Sequence, residues 1–581
     1  MTLELTALLA ATLPASDLLR GVAPESITAL QPSRLQRPEG AVLFQQGESG
    51  TCAYLIMGGI LGLHTEKGGD TLAGDTPAFF RKVVPGELVG EYGPLCGLPR
   101  SATAVALTAI DCLVLDRDQL QQLLQEAPAL QSRLIATLAG AASLGRAAGR
   151  RGLETIVIHD ASPGSPLTAA VRAGLPEQLR RLAAESEGLA DLAIHPDGGD
   201  EADLHAQLVA ANQARRPQVL FNHDPRALSQ RNRLLIDRLL VLADGSAPTL
   251  TLPAADHREM LLVRLWPQQQ QCPHSHDWAS GTAIAQVLNL KPSEPGHLAR
   301  LARAVLRRQR VLVLGGGGAR GFAHIGVLAA LEQLGLREVD MVMGVSIGSL
   351  VASLAAFEHP AATIFNELER VIIKARPYAF TLPRASLFSL DNSRRELQRF
   401  FGTAQIQDSW LPLRCFSTNL SSKRLRDWSS GDIPTAVIAS MSVPGIFPPV
   451  SDAKGQLHVD GGILNNLPVA EARRQTEGPV LAVSLDPASG SAAAASEAPS
   501  LGRTIIDAMM CGSHAETQAQ EHLADLVLRP PIEQFPFLDW KRYREIYGAG
   551  YQEGLEGLKS GWPGVQRSSG RHPGDSGSPR A

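Results

Sequence analysis

The strongest constraint on the fold of this chain is a pair of strand–turn–helix units that follow one another after residue 310. In the first unit a short β-branched run, RVLVL, leads into four glycines and then into ARGFAHIGVLAALEQLG, which has the pattern of a helix ending in glycine. In the second unit the strand-like Met341–Met343 leads into GVSIGS and the helical stretch LVASLAAFE. Two consecutive units of this order predict a parallel sheet covered by helices.

The turn of the second unit carries Ser346 between Gly344 and Gly348, in the pattern G-x-S-x-G. A serine at a sharp strand-to-helix turn has an exposed hydroxyl, and glycines on both sides avoid clashes with the tight backbone. The N–H groups of the following helix favour a negative charge that develops beside the serine. The pattern predicts a nucleophile, and a helix-capping serine is the alternative.

The glycine run of the first unit leaves backbone N–H groups unobstructed, which suits the binding of an oxyanion or a phosphate. Gly316, Gly318 and Gly321 also satisfy G-x-G-x-x-G, the dinucleotide fingerprint, and Asp340 lies near the distance expected for a ribose-binding acid. A dinucleotide enzyme is therefore an alternative from this motif alone. That alternative assigns no role to Ser346 and its turn.

A third motif, Asp460-Gly461-Gly462, follows the strand-like GQLHV. A carboxylate at the end of a strand, hydrogen-bonded to a serine hydroxyl, can act as base without a histidine. An Asx-turn is the alternative, because Asp-Gly is frequent in turns. His514 and His522 follow the aspartate in the chain order of a Ser-Asp-His hydrolase. Both lie in a helical stretch and are interpreted as surface histidines.

These three motifs, in this order, resemble those of the patatin-like phospholipases. The resemblance covers roughly residues 310–475 and implies a three-layer α/β/α domain that hydrolyses lipid esters. It also implies that Ser346 is the nucleophile and Asp460 the proton acceptor. The implied oxyanion loop consists of Gly316, Gly317 and Gly318, with Arg320 at its basic position.

Residues 33–118 contain short β-like runs separated by glycine-bearing turns, and a helical stretch follows, which predicts a small β-barrel or roll with helices. FQQGE, GELVGE and LPRSAT resemble segments of a cyclic-nucleotide-binding domain. The resemblance implies that Glu91 accepts from the ribose hydroxyl and that Arg100 pairs with the cyclic phosphate through its planar fork of donors. The alternatives are a turn position for Glu91 and a surface salt bridge for Arg100. Pro94 removes one N–H from this segment.

Residues 145–300 alternate strand-like and helical stretches, which indicates an α/β domain. The segment QARRPQVLFNHDPRALSQRNRLLIDRLLVLADG resembles the region between the sensor and catalytic domains of neuropathy-target-esterase-like proteins. That subgroup hydrolyses lysophospholipids and phospholipids. The chain is therefore expected to be multidomain: 15–142, a cyclic-nucleotide-binding-like β-roll; 150–300, an α/β middle domain; 310–475, the patatin-like core; 476–560, a C-terminal extension; and 561–581, a disordered tail.

The composition excludes several classes of function. A formal charge of -4 gives no global case for nucleic acid binding. The six cysteines contain no C-x-x-C pair, which argues against a zinc site and a disulfide framework and suits a reducing cytosol. No apolar run reaches the length of about 20 residues that spans a bilayer. We therefore expect a cytoplasmic protein without metal or cofactor, whose only membrane contact is peripheral, at the inner face.

Together these features predict a serine lipid acyl hydrolase, a lysophospholipase or phospholipase, that uses a Ser346–Asp460 dyad and is regulated by its N-terminal domain. Its expected partners are a phospholipid or lysophospholipid substrate and a cyclic nucleotide. The alternative is a cyclic-nucleotide-responsive regulatory protein whose working site is formed by Glu91 and Arg100 and whose hydrolase core is vestigial.

Overall fold

The computed structural model describes residues 2–16, 18–65, 81–134, 154–186, 188–196, 199–214, 216–246, 260–268, 284–294, 296–336, 338–374, 379–380, 388–486 and 501–562. These residues fall into two compact units, one drawn from Met1–Leu265 and Asp277–Ala285 and the other from Trp266–His276 and Gln286–Ala581. The predicted disordered tail lies outside the described residues, apart from its first two positions.

The first unit begins with a β-roll made of two antiparallel four-stranded sheets. Its strands are β1 (Ser33–Arg37), β2 (Val42–Phe44), β3 (Cys52–Gly58), β4 (Leu61–His64), β5 (Arg81–Val83), β6 (Leu88–Val89), β7 (Thr103–Ala106) and β8 (Ile110–Asp116). One sheet has the order β1-β8-β3-β6 and the other the order β2-β7-β4-β5. The flanking helices are α1 (Thr2–Thr12), α2 (Pro24–Ala29), α3 (Tyr92–Cys96) and α4 (Arg117–Glu126).

Alternation along β3 explains how this roll is covered. Leu55 and Met57 pack with the apolar side chains of the helices, among them Leu120 and Leu123 of α4. Ile56 points to the other face and packs with residues of the second sheet. Because successive side chains of a strand point to opposite faces, one strand contributes to both cores. The predicted β-roll with flanking helices is confirmed.

The rest of the first unit is an α/β domain. Its strands are β9 (Thr155–Asp160), β10 (Ala193–His195), β11 (Gln218–Asn222), β12 (Arg238–Asp244) and β13 (Met260–Leu265), and its helices are α5 (Pro166–Glu185), α6 (Glu201–Gln213) and α7 (Gln230–Arg233). The five strands pair in parallel in the order β10-β11-β9-β12-β13. All residues of β9 and β11 are buried, as expected for a parallel sheet with both faces covered.

The second unit is built on a largely parallel sheet. The strands of the whole unit are β14 (Gln286–Leu290), β15 (Val311–Leu314), β16 (Met341–Val345), β17 (Ala379–Phe380), β18 (Phe388–Ser389), β19 (Leu413–Asn419), β20 (Arg424–Trp428), β21 (Val450–Ser451), β22 (Leu457–Asp460), β23 (Val480–Val483) and β24 (Leu526–Leu528). The main sheet has the order β21-β22-β19-β16-β15-β23-β24, and β20 pairs with β19. The pairs among β19, β16, β15, β23 and β24 are parallel.

Helices cover both faces of this sheet. They are α8 (His297–Val305), α9 (Phe322–Gln333), α10 (Ile347–Ala356), α11 (Ala361–Leu368), α12 (Asp391–Phe401), α13 (Ile433–Met441), α14 (Val469–Gln475), α15 (Leu501–Glu521) and α16 (Tyr543–Gly561). Leu312 and Leu314 of β15 belong to one apolar cluster, whereas Val311 and Val313 belong to another. Two separate cores on the two faces of one sheet make the three-layer α/β/α arrangement that the resemblance implied.

The last strands of this sheet lie in the segment that was expected to be a C-terminal extension. The sheet continues past residue 475, because β23 pairs with β15 and β24 pairs with β23. Residues 476–560 therefore supply part of the same core. None of the helices in the described ranges is long and apolar enough to cross a membrane.

Candidate active site

The central strand β19 changes partner where the candidate dyad lies. Up to Phe416 its neighbour is β16, with Val345 opposite Phe416. At the next position, Ser417, the neighbour is β22, with Asp460 opposite Ser417. Asp460 thus enters the sheet at the level where the chain of Ser346 leaves it. The topology brings together two residues that lie far apart in the sequence.

Ser346 occupies a strained turn between β16 and α10. Its backbone has φ 52° and ψ −127°, a conformation that L-residues seldom adopt. The N–H of Ser346 donates to Oγ of Ser440 at 2.8 Å, and that hydroxyl donates in turn to the carbonyl of Phe416 at 2.6 Å. These two hydrogen bonds fix the backbone of the turn against β19 and thereby hold Ser346 at the end of β16.

The two glycines of the turn are required by packing. A Cβ on Gly344 would lie 2.3 Å from the carbonyl oxygen of Gly348, and a Cβ on Gly348 would lie 2.3 Å from the carbonyl oxygen of Leu314. Both obstacles are backbone atoms that cannot move aside without shifting a strand or a helix. The structure therefore gives a steric reason for the spacing G-x-S-x-G.

Ser346 and Asp460 form a direct hydrogen bond. Oγ of Ser346 donates to Oδ2 of Asp460 at 2.6 Å, and the N–H of Gly462 donates to Oδ1 at 2.8 Å. Both side chains are buried. Burial raises the pKa of Asp460 to about 6, and the two hydrogen bonds limit this rise. The arrangement can move a proton from the hydroxyl to the carboxylate near neutral pH.

The glycine loop lies beside the serine. A Cβ on Gly316 would be 3.1 Å from Cβ of Ser346. The N–H of Gly316 itself donates to the carbonyl of Asn466 at 3.2 Å. Within the described ranges we find no acceptor for the N–H groups of Gly317 and Gly318. Of the three glycines expected to hold an oxyanion, Gly317 and Gly318 therefore have available donors, whereas Gly316 has an internal acceptor.

Arg320 differs from the expectation. It was placed at the basic position of the oxyanion loop, but its Nε donates to the carbonyl of Phe535 at 2.9 Å and its Nη1 to that of Leu485 at 3.4 Å. These contacts fasten the glycine loop to two segments of the C-terminal part of the domain. The sequence could not indicate them because the acceptors are backbone atoms over 160 residues away.

Asn466 is a site residue that the sequence reasoning missed. Its Nδ2 donates to the carbonyl of Gly316 at 3.2 Å and to Oδ1 of Asp486 at 3.1 Å. A Cβ on Gly316 would lie 2.4 Å from Oδ1 of Asn466, so this contact also requires glycine. The available signal was the polar pair in ILNNLPV, directly after the Asp460 motif.

An apolar pocket opens at Ser346. Its lining consists of Gly318, Ser346, Ile347, Ile372, Leu390, Met441, Val443, Ile446, Phe447, Phe537, Leu538 and Trp540. The last three residues come from the segment beyond β24. The Ile446–Phe447 turn also lies in this lining. The pocket suits an aliphatic chain, because apolar walls have no polar groups that a hydrocarbon would leave unpaired.

The histidines lie outside the dyad. Nε2 of His458 contacts Oδ2 of Asp452 at 3.3 Å, and its Nδ1 contacts Oγ of Ser417 at 3.1 Å. His324 is fully buried, bonds the carbonyl of Gly315 at 2.8 Å and has its pKa lowered to about 4 by burial. His514 contacts Gln518 within its own helix. None of these contacts brings an imidazole to Ser346.

Asp340 has a structural environment that disfavours the dinucleotide alternative. Its carboxylate forms a bidentate pair with Arg303, both N–O distances being 2.7 Å, and also accepts from the N–H of Arg310. It precedes β16, so it lies at the amino edge of the parallel sheet, whereas the glycine loop follows β15 at the carboxyl edge. A ribose bound beside the glycine loop cannot reach this acid.

In the N-terminal domain, Arg100 does not form the surface salt bridge that was the alternative to a phosphate-binding role. Arg100 is buried; its Nη1 donates to the carbonyl of Gly90 at 2.6 Å and its Nη2 to that of Cys52 at 2.8 Å. The guanidinium lies 4.5 Å from the ring centroid of Phe44. Burial raises the pKa of Glu91, and the charge of Arg100 acts against that rise.

No cluster of three or more histidine, cysteine or acidic side chains suited to a metal occurs in the described portion of the chain.

Comparison with known proteins agrees with this geometry. Residues 312–473 match the family model of the patatin-like phospholipases, and residues 34–127 match that of the cyclic nucleotide-binding domain. The chain is 31% identical over 388 residues to human patatin-like phospholipase domain-containing protein 6, covering 59% of this chain and 27% of that protein. It is 32% identical over 291 residues to lysophospholipase nte1 of Neurospora crassa, covering 45% of this chain and 19% of that protein.

The chain thus spans less than a third of the length of these curated relatives. Among solved structures, the catabolite activator protein of Thermus thermophilus is 27% identical, with 29% of this chain and 72% of that chain covered and a TM-score of 0.20.

Proposed function

We propose that this chain, which carries a patatin-like phospholipase domain behind an N-terminal cyclic nucleotide-binding domain, hydrolyses a carboxylic ester of a lysophospholipid or phospholipid. The observation that carries the proposal is the 2.6 Å hydrogen bond from Ser346 to Asp460 at the mouth of an apolar pocket. The names of the relatives, which include lysophospholipase, support the same class of substrate.

The first half of the reaction is acyl transfer to Ser346. Its Oγ attacks the ester carbonyl carbon while its proton moves to Oδ2 of Asp460. The carbonyl oxygen becomes an oxyanion that accepts hydrogen bonds from the N–H groups of Gly317 and Gly318. When the intermediate collapses, the bond to the alcohol oxygen breaks, and that oxygen takes the proton from Asp460. The alcohol leaves and the acyl group stays on Ser346.

The second half is hydrolysis of this acyl-enzyme. A water molecule gives a proton to Asp460 and its oxygen attacks the acyl carbonyl carbon. The same two N–H groups stabilise the second oxyanion. Collapse breaks the bond to Oγ of Ser346, which takes the proton back from Asp460, and the fatty acid is released. Both halves use one base, so the dyad returns to its starting state.

The pocket indicates how the substrate lies. Apolar side chains line the pocket beside Ser346, among them Met441, Phe447, Phe537, Leu538 and Trp540. Burial of an acyl chain against such walls contributes about 0.8 kcal/mol per CH₂ group. This gain favours a long-chain ester and leaves the polar head group outside the pocket.

Release of fatty acid from lysophosphatidylcholine tests the proposal. We expect the wild-type protein to release fatty acid and Ser346→Ala to be inactive while folded. Ser353→Ala is the matched control, because Ser353 is also buried on α10 but donates only to the carbonyl of Leu350. Activity that survives in Ser346→Ala would exclude Ser346 as the nucleophile.

A second candidate function is cyclic nucleotide binding by the N-terminal domain, which regulates the hydrolase. Support comes from the match over residues 34–127 and from the buried Arg100 near Glu91. A cyclic phosphate would have to replace the carbonyls of Gly90 and Cys52 as partners of Arg100. Calorimetry with cyclic AMP and cyclic GMP tests this function, and the absence of heat with both nucleotides would remove it.

A further inference from the structure

The second unit exposes large apolar side chains in one region. Among its described residues, the exposed ones are Leu420 at 45%, Leu457 at 44%, Leu464 at 38% and Leu538 at 46%. Scattered exposed leucines are common on protein surfaces and require no explanation. Exposed leucines that share one location do require an explanation, because contiguous exposed apolar side chains indicate an interaction surface.

All four leucines lie at the edge of the sheet that carries the candidate dyad. Leu420 directly follows β19, which runs parallel to β16 and ends three residues beyond the level of Phe416 and Val345. Strands rise about 3.3 Å per residue, so Leu420, which follows Phe416 by four residues, projects roughly 13 Å past that level. Leu457 begins β22, and its carbonyl accepts from the N–H of Leu420 at 2.8 Å.

The other two leucines lie closer to the site itself. Leu464 stands between Asp460, which contacts Ser346, and Asn466, which contacts the glycine loop. Leu538 is both exposed and part of the pocket lining. Leu538 therefore places an exposed apolar side chain directly at the pocket that contains Ser346.

The projecting turns are held in place by hydrogen bonds. In the β19–β20 turn, Oδ1 of Asn419 accepts from the N–H groups of Ser421 and Ser422 at 2.9 and 3.0 Å. In the β21–β22 turn, Oδ1 of Asp452 accepts from the N–H groups of Lys454 and Gln456. The leucines are thus presented in fixed positions, which lowers the entropic cost of binding a surface.

One further bond joins the two turns. Nδ2 of Asn419 donates to Oε1 of Gln456 at 2.7 Å. Together with the bond between Leu420 and Leu457, it makes the two turns a single surface.

This surface is basic, although the whole chain has a formal charge of -4. Lys423, Arg424 and Lys454 lie exposed in the two turns. Of the neighbouring acids, Asp427 pairs with Arg414. Asp452 contacts His458, but burial lowers the pKa of that imidazole, so Asp452 keeps its charge and the three cations outnumber it. Exposed leucines among an excess of cations complement an anionic, partly apolar partner.

We infer that this edge, defined by Leu420, Leu457, Leu464, Leu538, Lys423, Arg424 and Lys454, docks on an anionic phospholipid bilayer. The leucines enter the interface between head groups and acyl chains, and the cations lie against the phosphates. The inference rests on the proposed function, since docking at this edge delivers a lipid to Ser346. It commits to a membrane surface as the partner.

Co-sedimentation with vesicles tests the docking independently of catalysis. The full chain carrying Ser346→Ala is mixed with vesicles of phosphatidylcholine and phosphatidylglycerol, or of phosphatidylcholine alone. We expect binding to the mixed vesicles and at least about tenfold weaker binding to the neutral ones, because each cation near an anionic surface strengthens binding roughly fivefold. Binding does not depend on hydrolysis, so a wrong assignment of the reaction leaves this result unchanged.

Two variants and a matched control locate the surface. Leu420→Asp with Leu457→Asp is expected to weaken binding to the mixed vesicles at least about tenfold, since both apolar groups are lost. Leu98→Asp changes an equally exposed leucine, 53% exposed, in the first unit and should bind as the parent does. Unfolding curves check that each variant is folded.

Lys423→Asn with Lys454→Asn is the second variant, and asparagine suits Lys423 because φ is 56° there. We expect roughly 25-fold weaker binding to the mixed vesicles, fivefold for each lost cation, and no change with the neutral ones. This variant decides the matter if the double aspartate variant does not fold. The inference would be overturned if the parent protein did not bind the mixed vesicles. It would also be overturned if either double variant bound them as tightly as the parent does.

Discussion

Asp460 occupies, beside Ser417 of β19, the position that residue 346 would fill if β16 continued one residue further. Ser346 instead turns out of the strand with φ 52° and donates its hydroxyl hydrogen to Asp460 at 2.6 Å. The proposed nucleophile, after the end of β16, and the proposed base, at the end of the antiparallel β22, thus share one side of β19. This geometry underlies the proposed dyad.

The pH dependence of the reaction follows from the buried carboxyl. Asp460 acts as a base only when ionised, and burial raises its pKa to about 6. We expect kcat/KM for a soluble ester to rise with pH, to reach half its maximum near pH 6 and to level off above pH 7. A pH–rate profile checks this, and a half-maximum near pH 4 would mean that the acting base is not this carboxyl.

The same carboxyl also makes the folding stability depend on pH, but here a rise in pH is unfavourable, whereas it increases the rate. Burial raises the pKa of Asp460 from an ordinary value of 3.8 to about 6, so between these pH values the folded state binds the proton more tightly than the unfolded chain. The contribution of Asp460 therefore becomes less favourable as pH rises through this window, and its cost is complete above pH 6. Asp460→Asn should remove this slope, as measured by denaturant unfolding at several pH values.

Two glycines of α16 give a matched test of packing. A Cβ on Gly550 would lie 2.1 Å from the carbonyl oxygen of Ala323 in α9, whereas a Cβ on Gly548 meets nothing within 4 Å. We expect Gly550→Ala to destabilise the protein by about 1–3 kcal/mol. Gly548→Ala should be neutral or stabilising by up to about 1 kcal/mol, since alanine favours helix. Equal effects in thermal unfolding would contradict the close approach of α9 and α16.

The buried pair of Arg303 and Asp340 distinguishes a structural acid from a ligand-binding one. Asp340→Asn removes the bidentate partner of the buried Arg303 and leaves only its 3.9 Å contact with Glu338, which we expect to cost about 3–5 kcal/mol of folding free energy. Glu338→Gln is the matched control: Glu338 pairs with Arg310 at the surface and should contribute less than about 1 kcal/mol. A stable Asp340→Asn protein would reopen the question of what this acid binds.

Arg100 should matter for folding even without a nucleotide. It satisfies the carbonyls of Gly90 and Cys52 and stacks on Phe44, so Arg100→Ala is expected to cost about 2–4 kcal/mol. Arg37→Ala, at an exposed site in the same domain, should change stability by less than about 0.5 kcal/mol. Denaturant unfolding of both variants makes the comparison. Similar midpoints would leave Arg100 free to serve only a ligand.

Local sequence patterns anticipated the elements that carry the candidate dyad. The β-branched run at 311–314, the glycines and the helix that begins at Phe322 follow one another as residue types with strong local preferences. Gly344 and Gly348 could also be predicted, because a turn tight enough to expose a serine leaves no room for a side chain there.

The rest of the site depends on contacts between distant segments. Asn466 reaches Gly316 from the loop that follows β22. Phe537 and Trp540 reach the pocket from the segment that follows β24, the last strand of the sheet. Strand order is not encoded in local periodicity, so the partners of Arg320 could not be predicted either. The three sequence motifs therefore predicted the residues of the dyad, whereas the pocket is formed by contacts between segments that are distant in the sequence.

The most direct test of the central claim is labelling with a fluorophosphonate, which forms a covalent adduct with an activated serine, followed by mass spectrometry of the peptides. The account predicts an adduct on Ser346 in the wild-type protein, labelling slowed about a thousandfold or more in Asp460→Asn, and no adduct in Ser346→Ala. An adduct on another serine, or labelling of Asp460→Asn at the wild-type rate, would contradict a Ser346–Asp460 dyad.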